Sequence, residues 1–141
     1  MGVNALHHVL IRVQDPERSR RFYEDVLLLP FMEIPVGADI SSIWEGRPGS
    51  GTLLATQVGS TFVMLAPPLE GADPEDRFDE LRIGVDHLAF GVDSRDDLRA
   101  LLERLTEAGV ATAGIEDDSV LGNQFVGFRD PDNVQWEFWA A

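Results

Sequence analysis

Two separated stretches alternate strictly between faces. Val9, Ile11 and Val13 give the first an apolar face, and Leu88, Phe90 and Val92 do the same for the second. Strand side chains point alternately to the two sides of a sheet, so both stretches read as strands with one face packed on helices. The other face then carries His8, Leu10 and Arg12 in the first, and His87, Ala89 and Gly91 in the second. A helix start follows each strand. Asp15 is placed as an N-cap with Pro16 at the first helical position, and Phe22, Tyr23, Val26 and Leu27 recur at helical spacing. Ser94 with Asp97 three residues on resembles a capping box. Leu98, Leu101, Leu102 and Leu105 form one apolar stripe, and Gly109 suits the residue just past the helix end.

The two halves also end alike. Thr61-Phe62-Val63-Met64-Leu65 closes the first and Gln135-Trp136-Glu137-Phe138-Trp139 the second. Each is preceded by a turn, Gly59-Ser60 or Asp130-Pro131-Asp132-Asn133, and Asn133 suits the positive φ a hairpin turn needs. Each half therefore reads as β-α-β-β-β. The chain is expected to be one α+β domain over residues 1–141, with module one at 4–66, a linker at 67–84 and module two at 85–140. The linker holds six acids (Glu70, Asp73, Glu75, Asp76, Asp79, Glu80), read as a solvated face. Asp73-Pro74 is expected to open a short helical turn within it.

Composition narrows the chemistry. The 141 residues are 44% hydrophobic and 26% charged, as in ordinary globular domains. The 25 acids outweigh 11 basic residues, all Arg, for a net charge of −14. Without Cys there are no disulfides, thiolate nucleophiles or zinc fingers. Without Lys there is no Schiff base and no Walker-type phosphate loop. The acidity argues against a nucleic-acid partner and would suit a cationic small molecule, although solubility is the better explanation of it. No apolar run is long enough to span a membrane. The N-terminus lacks the charged and apolar regions of a signal peptide, so the expected location is cytoplasmic.

The alternation places Val63, Leu65, Trp136 and Phe138 on the helix side, and Met64 and Glu137 on the opposite face with His8 and His87. His7 falls on the helix side as a structural residue. A carboxylate at position 137, inside an aromatic strand, is costly to bury alone. It is an edge residue in water, the partner of an Arg, or a metal ligand. Two His at matching positions of the same face favour the last, because two imidazoles and one carboxylate form the facial set that holds Fe(II) and other divalent ions.

At this point the chain resembles the vicinal oxygen chelate superfamily, which includes glyoxalase I, epimerases, extradiol dioxygenases and the fosfomycin and bleomycin resistance proteins. The resemblance covers essentially the whole chain. It rests on Leu6-His7-His8-Val9 with Asp15-Pro16-Glu17-Arg18-Ser19-Arg20-Arg21-Phe22-Tyr23, on Val85-Asp86-His87-Leu88-Ala89-Phe90, and on Phe128-Arg129-Asp130-Pro131-Asp132 leading to Trp136-Glu137-Phe138. It implies two tandem βαβββ modules whose mixed sheets curl around a cleft. It implies metal ligands at His8, His87 and Glu137, for Fe2+, Mn2+, Ni2+ or Zn2+. The fourth family position falls on Met64, which is no ligand for a hard ion, so Glu137 would serve as both ligand and catalytic base. Asn133 stands where the family turn usually has Gly. Leu10, Phe62, Met64, Ala89 and Trp139 are expected to wall an apolar substrate pocket, with Trp44 and Phe125 as further candidates. Arg12 is expected to reach solvent rather than a substrate anion. The implied function is a metal-dependent enzyme on a small oxygenated molecule, with ring-cleaving dioxygenase or isomerase/lyase chemistry, in a homodimer. The alternative is a metal-free resistance protein of the bleomycin-binding type.

Overall fold

The computed structural model describes residues 2–36 and 51–141; Trp44 lies outside the described residues. The chain separates into two compact units, one made of Met1–Glu24 and Leu29–Asp76, the other of Asp25–Leu28 and Arg77–Ala141. The first unit holds β1 (His8–Arg12), α1 (Pro16–Arg21), β2 (Met32–Val36), β3 (Gly51–Val58) and β4 (Thr61–Ala66). The second holds β5 (Leu88–Val92), α2 (Arg95–Glu107), β6 (Glu116–Asp117), β7 (Gln124–Arg129) and β8 (Gln135–Ala140). Each unit is a four-stranded mixed sheet with the same order, β1-β4-β3-β2 and β5-β8-β7-β6. In each, the first strand lies parallel to the last (β1 on β4, β5 on β8) and the other neighbours are antiparallel. The parallel pairing requires a crossover that a short turn cannot supply, and the intervening helix and strands supply it.

The caps form where local chemistry dictates. The Asp15 carboxylate accepts from the backbone N–H of Glu17 and Arg18 ahead of Pro16. The Ser94 hydroxyl accepts from Asp97 N–H at 3.1 Å. At the other end of α2, Gly109 takes φ +72°. Its N–H bonds Thr106 O, and the Val110 N–H bonds Leu105 O at 2.9 Å. That pair of bonds satisfies the last carbonyls of the helix. Asn133 sits at φ 70° in the β7–β8 turn, and Gly59 at φ 59° in the β3–β4 turn.

Burial follows the alternation. Val63 and Leu65 are buried in the first sheet, with Ile11, Val13 and Leu54. Phe90, Val126, Phe128, Trp136 and Phe138 are buried in the second, together with Leu98 and Leu105 of α2. Phe90 stacks on Trp136 with centroids 4.4 Å apart, and Phe128 on Phe138 at 4.8 Å.

Three local expectations need correction. Helical spacing predicts one regular helix through Leu27, but α1 ends at Arg21 and a π turn covers Phe22–Val26. Leu28 then takes φ 59°. The widened turn still leaves Tyr23 fully buried. The expected turn at Asp73-Pro74 does form, as one turn and no more. Asp73 closes a single turn through Asp76 N–H, and its side chain accepts from Glu75 N–H at 2.9 Å, the local bond by which Asp competes with helix. The acidic linker is not solvated throughout, since Glu80 is half-buried against Arg129. His7 does not sit on the helix side. Its ring is exposed and lies 5.7 Å from the ring of Phe62, because it precedes β1, where the strand alternation has not begun.

Candidate functional site

The site residues fall on one face of each sheet. In the first unit, His8 is in register with Phe62 and Leu10 with Met64, and paired residues of neighbouring strands share a face. Ala55 joins them through its pairing with Met64. His8 and Leu10 are exposed, Phe62 and Met64 half-buried. Arg12, at the end of the same row, donates from Nη1 to Pro67 O at 2.9 Å. It braces the start of the linker while remaining exposed.

In the second unit, Ala89 is in register with Glu137 and Gly91 with Trp139. Phe125 pairs with Trp139 across β7–β8, and the two rings stack at 4.9 Å and 11°. That stack carries one edge of the site, because Trp139 Nε1 donates to Glu137 Oε2 at 2.5 Å. Glu137 is thereby held on its own strand by a residue two positions on. Its side chain keeps only 14% exposure.

His87 completes the group. Its Nε2 lies 3.5 Å from Glu137 Oε2, and its Nδ1 lies 2.6 Å from Asp86 Oδ1. The structure thus brings His87 and Glu137 together and adds Asp86 and Trp139 as their supports. Sequence reasoning passed over Asp86. The available signal was a carboxylate directly before a candidate ligand His, the type of partner that orients metal-bound imidazoles. His8 belongs to the other unit, where its Nδ1 meets His7 Nδ1 at 2.8 Å. Among the described residues, no group of three or more His, Cys, Asp or Glu is arranged to hold a metal ion.

The donor chemistry of the second unit nevertheless suits a divalent cation. An imidazole nitrogen and a carboxylate oxygen face each other, and the far side of the imidazole is fixed by a second carboxylate. Among the described residues, no helix is long and apolar enough to cross a membrane.

The sequence pattern of the Glyoxalase/Bleomycin resistance protein/Dioxygenase superfamily matches residues 5–138. The chain belongs to this superfamily. It is 31% identical to the uncharacterized protein YwkD of Bacillus subtilis (strain 168), over 99% of this chain and 98% of that one. It superposes on the glyoxylase/bleomycin resistance protein/dioxygenase domain from Frankia sp. EAN1pec with a TM-score of 0.76 at 29% identity, covering 99% of each chain. Lactoylglutathione lyase from Agrobacterium tumefaciens shares the fold, with a TM-score of 0.67 at 17% identity over 100% of this chain and 96% of that one. The two four-stranded mixed sheets are therefore those of a glyoxalase-like α+β fold.

Proposed function

We propose that this glyoxalase-superfamily chain is a divalent-metal-dependent enzyme acting on a small oxygenated molecule, by isomerase, lyase or ring-cleaving dioxygenase chemistry. One observation carries the reading: His87 Nε2 faces Glu137 Oε2 while Asp86 holds the opposite ring nitrogen. His87 and Glu137 of the second unit would hold the ion. When bound, a divalent ion such as Fe2+, Mn2+, Ni2+ or Zn2+ supplies Lewis acidity to two neighbouring substrate oxygens.

The chain's own residues do the rest. Trp139 fixes Glu137 through Oε2, so Oε1 is the atom at which Glu137 would take a proton from substrate, and a base must lie within hydrogen-bond reach of that proton. Phe125, Trp139 and Ala89 give the second sheet an apolar surface on the face of Glu137, and Leu10, Phe62 and Met64 give the first sheet one on the face of His8. Met64 adds no donor for a hard ion to the face of the first sheet.

The Phe125–Trp139 stack, together with Met64 in place of an oxygen donor, favours a second reading. In it the chain is a metal-free binding protein for an aromatic, cationic compound. Metal analysis of native protein separates the two. The enzyme reading expects a stoichiometric divalent ion, retained on reconstitution by wild type and lost by Glu137→Ala. Wild type holding metal no better than Glu137→Ala overturns it. A thermal shift with cationic glycopeptides, and none with metals, establishes the binding protein instead. A homodimer is expected in either case, and light scattering of the purified chain checks it.

A further inference from the structure

One row of residues crosses the second sheet next to the row of Glu137. It runs Gly91, Trp139, Phe125, Glu116 through the registers of β5, β8, β7 and β6. Paired residues share a face, and Trp139 shares its face with Glu137, two residues back along β8. Phe125 and Trp139 stack nearly parallel at 4.9 Å, close to the roughly 4.8 Å that separates neighbouring strands. The stack therefore runs along the row. Phe125 covers one side of the indole. The opposite side turns toward β5, where the row holds Gly91 and no side chain.

The backbone gives no reason for glycine at this position. Glycine inside a strand costs conformational entropy and packs nothing. A bulge, a positive φ or a crowded neighbour usually explains it. Here β5 keeps an unbroken register with β8 from Leu88 to Val92, and Gly91 lies outside the left-handed region. Among the described residues, nothing comes within 4 Å of a Cβ built on it. Gly91 is exposed, and Trp139 is half-buried. What glycine supplies here is room, and the close approach of a ligand is the remaining use of a strand glycine.

That room has a shape. A flat ring set over Gly91 lies on the open side of Trp139 and adds one layer to the stack at the same repeat. Offset-stacked rings prefer centroids about 4.5–7 Å apart, which a strand-spaced row provides. A saturated ring is thicker and has no π face to offer. Same-face residues along a strand stand roughly 7 Å apart, about the length of one ring. Oxygen substituents on the near edge of the ring therefore reach the row of Glu137 and Ala89.

We propose that Gly91 is a specificity-determining residue. It keeps open a seat for a flat, conjugated ring stacked on Trp139, and the substrate is a planar ring compound whose oxygens lie toward Glu137. The direction of the oxygens rests on the function proposed above; the seat does not.

The test uses the full chain, labelled with 15N, and two probes of matched size, phenol and cyclohexanol. Proton–nitrogen correlation spectra follow the Gly91 amide and the Trp139 indole N–H during titration. Phenol should shift both signals, and cyclohexanol should bind several-fold more weakly. Gly91→Val fills the seat and should weaken phenol about three- to tenfold, the worth of one aromatic pair. Gly91→Ala should weaken it less and leave the melting temperature unchanged or raised. Gly127→Ala alters a strand glycine of the neighbouring row and should leave phenol binding as in wild type. Equal binding of the two probes, phenol shifts that spare Gly91 and Trp139, or wild-type affinity in Gly91→Val overturns the proposal. A lowered melting temperature in Gly91→Ala does so too, because the fold would then need the glycine. Phenol seated at Gly91 in protein that retains no divalent ion upholds the seat and overturns the metal reading. A stoichiometric ion with no phenol at Gly91 does the reverse.

Discussion

Arg129 and Glu80 are joined side by side, Nη1 donating to Oε2 at 3.0 Å and Nη2 to Oε1 at 2.5 Å. The same guanidinium donates to Gln135 Oε1 and Asn133 O, so one side chain ties the stretch before β5 to the β7–β8 turn. The hydrogen bonds from Arg129 are the largest cause that lowers the Glu80 carboxyl from 4.5 to about 2. A carboxyl depressed in the folded state stabilises it above its unfolded pKa, and that stabilisation is lost as pH falls toward the folded value. Denaturant unfolding of wild type should therefore weaken between pH about 4.5 and about 2. Glu80→Gln should flatten part of that slope and lower stability at neutral pH. An identical slope in the variant would sink the assignment. Glu24, lowered chiefly by the backbone N–H of Phe31 and next by Arg20, contributes in the same direction.

Trp139 positions Glu137 through one bond and packs on Phe125 through its ring. Trp139→Phe keeps the stack and deletes the donor. Metal affinity should fall roughly tenfold, as for other outer-shell changes, while the melting temperature moves little. Chelator competition and thermal unfolding on the same preparations check the split. A large stability loss with unchanged affinity would mean that the bond to Glu137 is merely structural.

The two sheets should respond separately to cavities. Leu65 is fully buried in the first, and Trp136 is 2% exposed against Phe90 in the second. Leu65→Ala should cost about 2–5 kcal/mol and Trp136→Ala about 3–5 kcal/mol, measured by equilibrium denaturation. Losses under 1 kcal/mol, by order of magnitude, would show that the sites collapse around the deletion.

Backbone strain gives a ranked series. Gly109 at φ +72° has open space around an added Cβ, so Gly109→Ala should cost the left-handed penalty alone, about 1–2 kcal/mol. Asn133 combines φ 70° with a side-chain bond from Nδ2 to Phe78 O at 2.8 Å. Asn133→Ala loses the bond and strains the turn. Asn133→Gly loses only the bond, so it should be the milder of the two. Melting temperatures of the two variants test the order.

What sequence reading reached was set by range. Asp15, Ser94 and Gly109 act on backbone groups a few residues away, so their caps could be read directly. The alternation of β8 placed Trp136 and Phe138 inside and Glu137 on the other face for the same local reason. The bond from Trp139 to Glu137 needed a rotamer as well as a face. The π turn at Phe22–Val26 adds width that apolar spacing alone does not reveal. Glu80 looked like one more solvated acid because its partner, Arg129, lies far along the chain and is brought near only by folding. His7 was misplaced because strand alternation does not reach the residue before His8, where β1 opens, and the contact of Asp86 with His87 lies likewise before β5 opens at Leu88.

The parallel pairing of the first strand of each unit with its last has a kinetic consequence. The β3–β4 and β7–β8 hairpins close over short turns, whereas β1 must wait for β4, and β5 for β8, across nearly the full length of a unit. Contacts so distant in sequence form late, since the entropy of closing the loop comes before any reward. The strands that carry or adjoin His8 and His87 are thus expected to be the last added during refolding. Pulsed amide exchange should protect the β7–β8 ladder before Phe90, and the faces that carry His8 and Glu137 would each come into being only when their own sheet is complete.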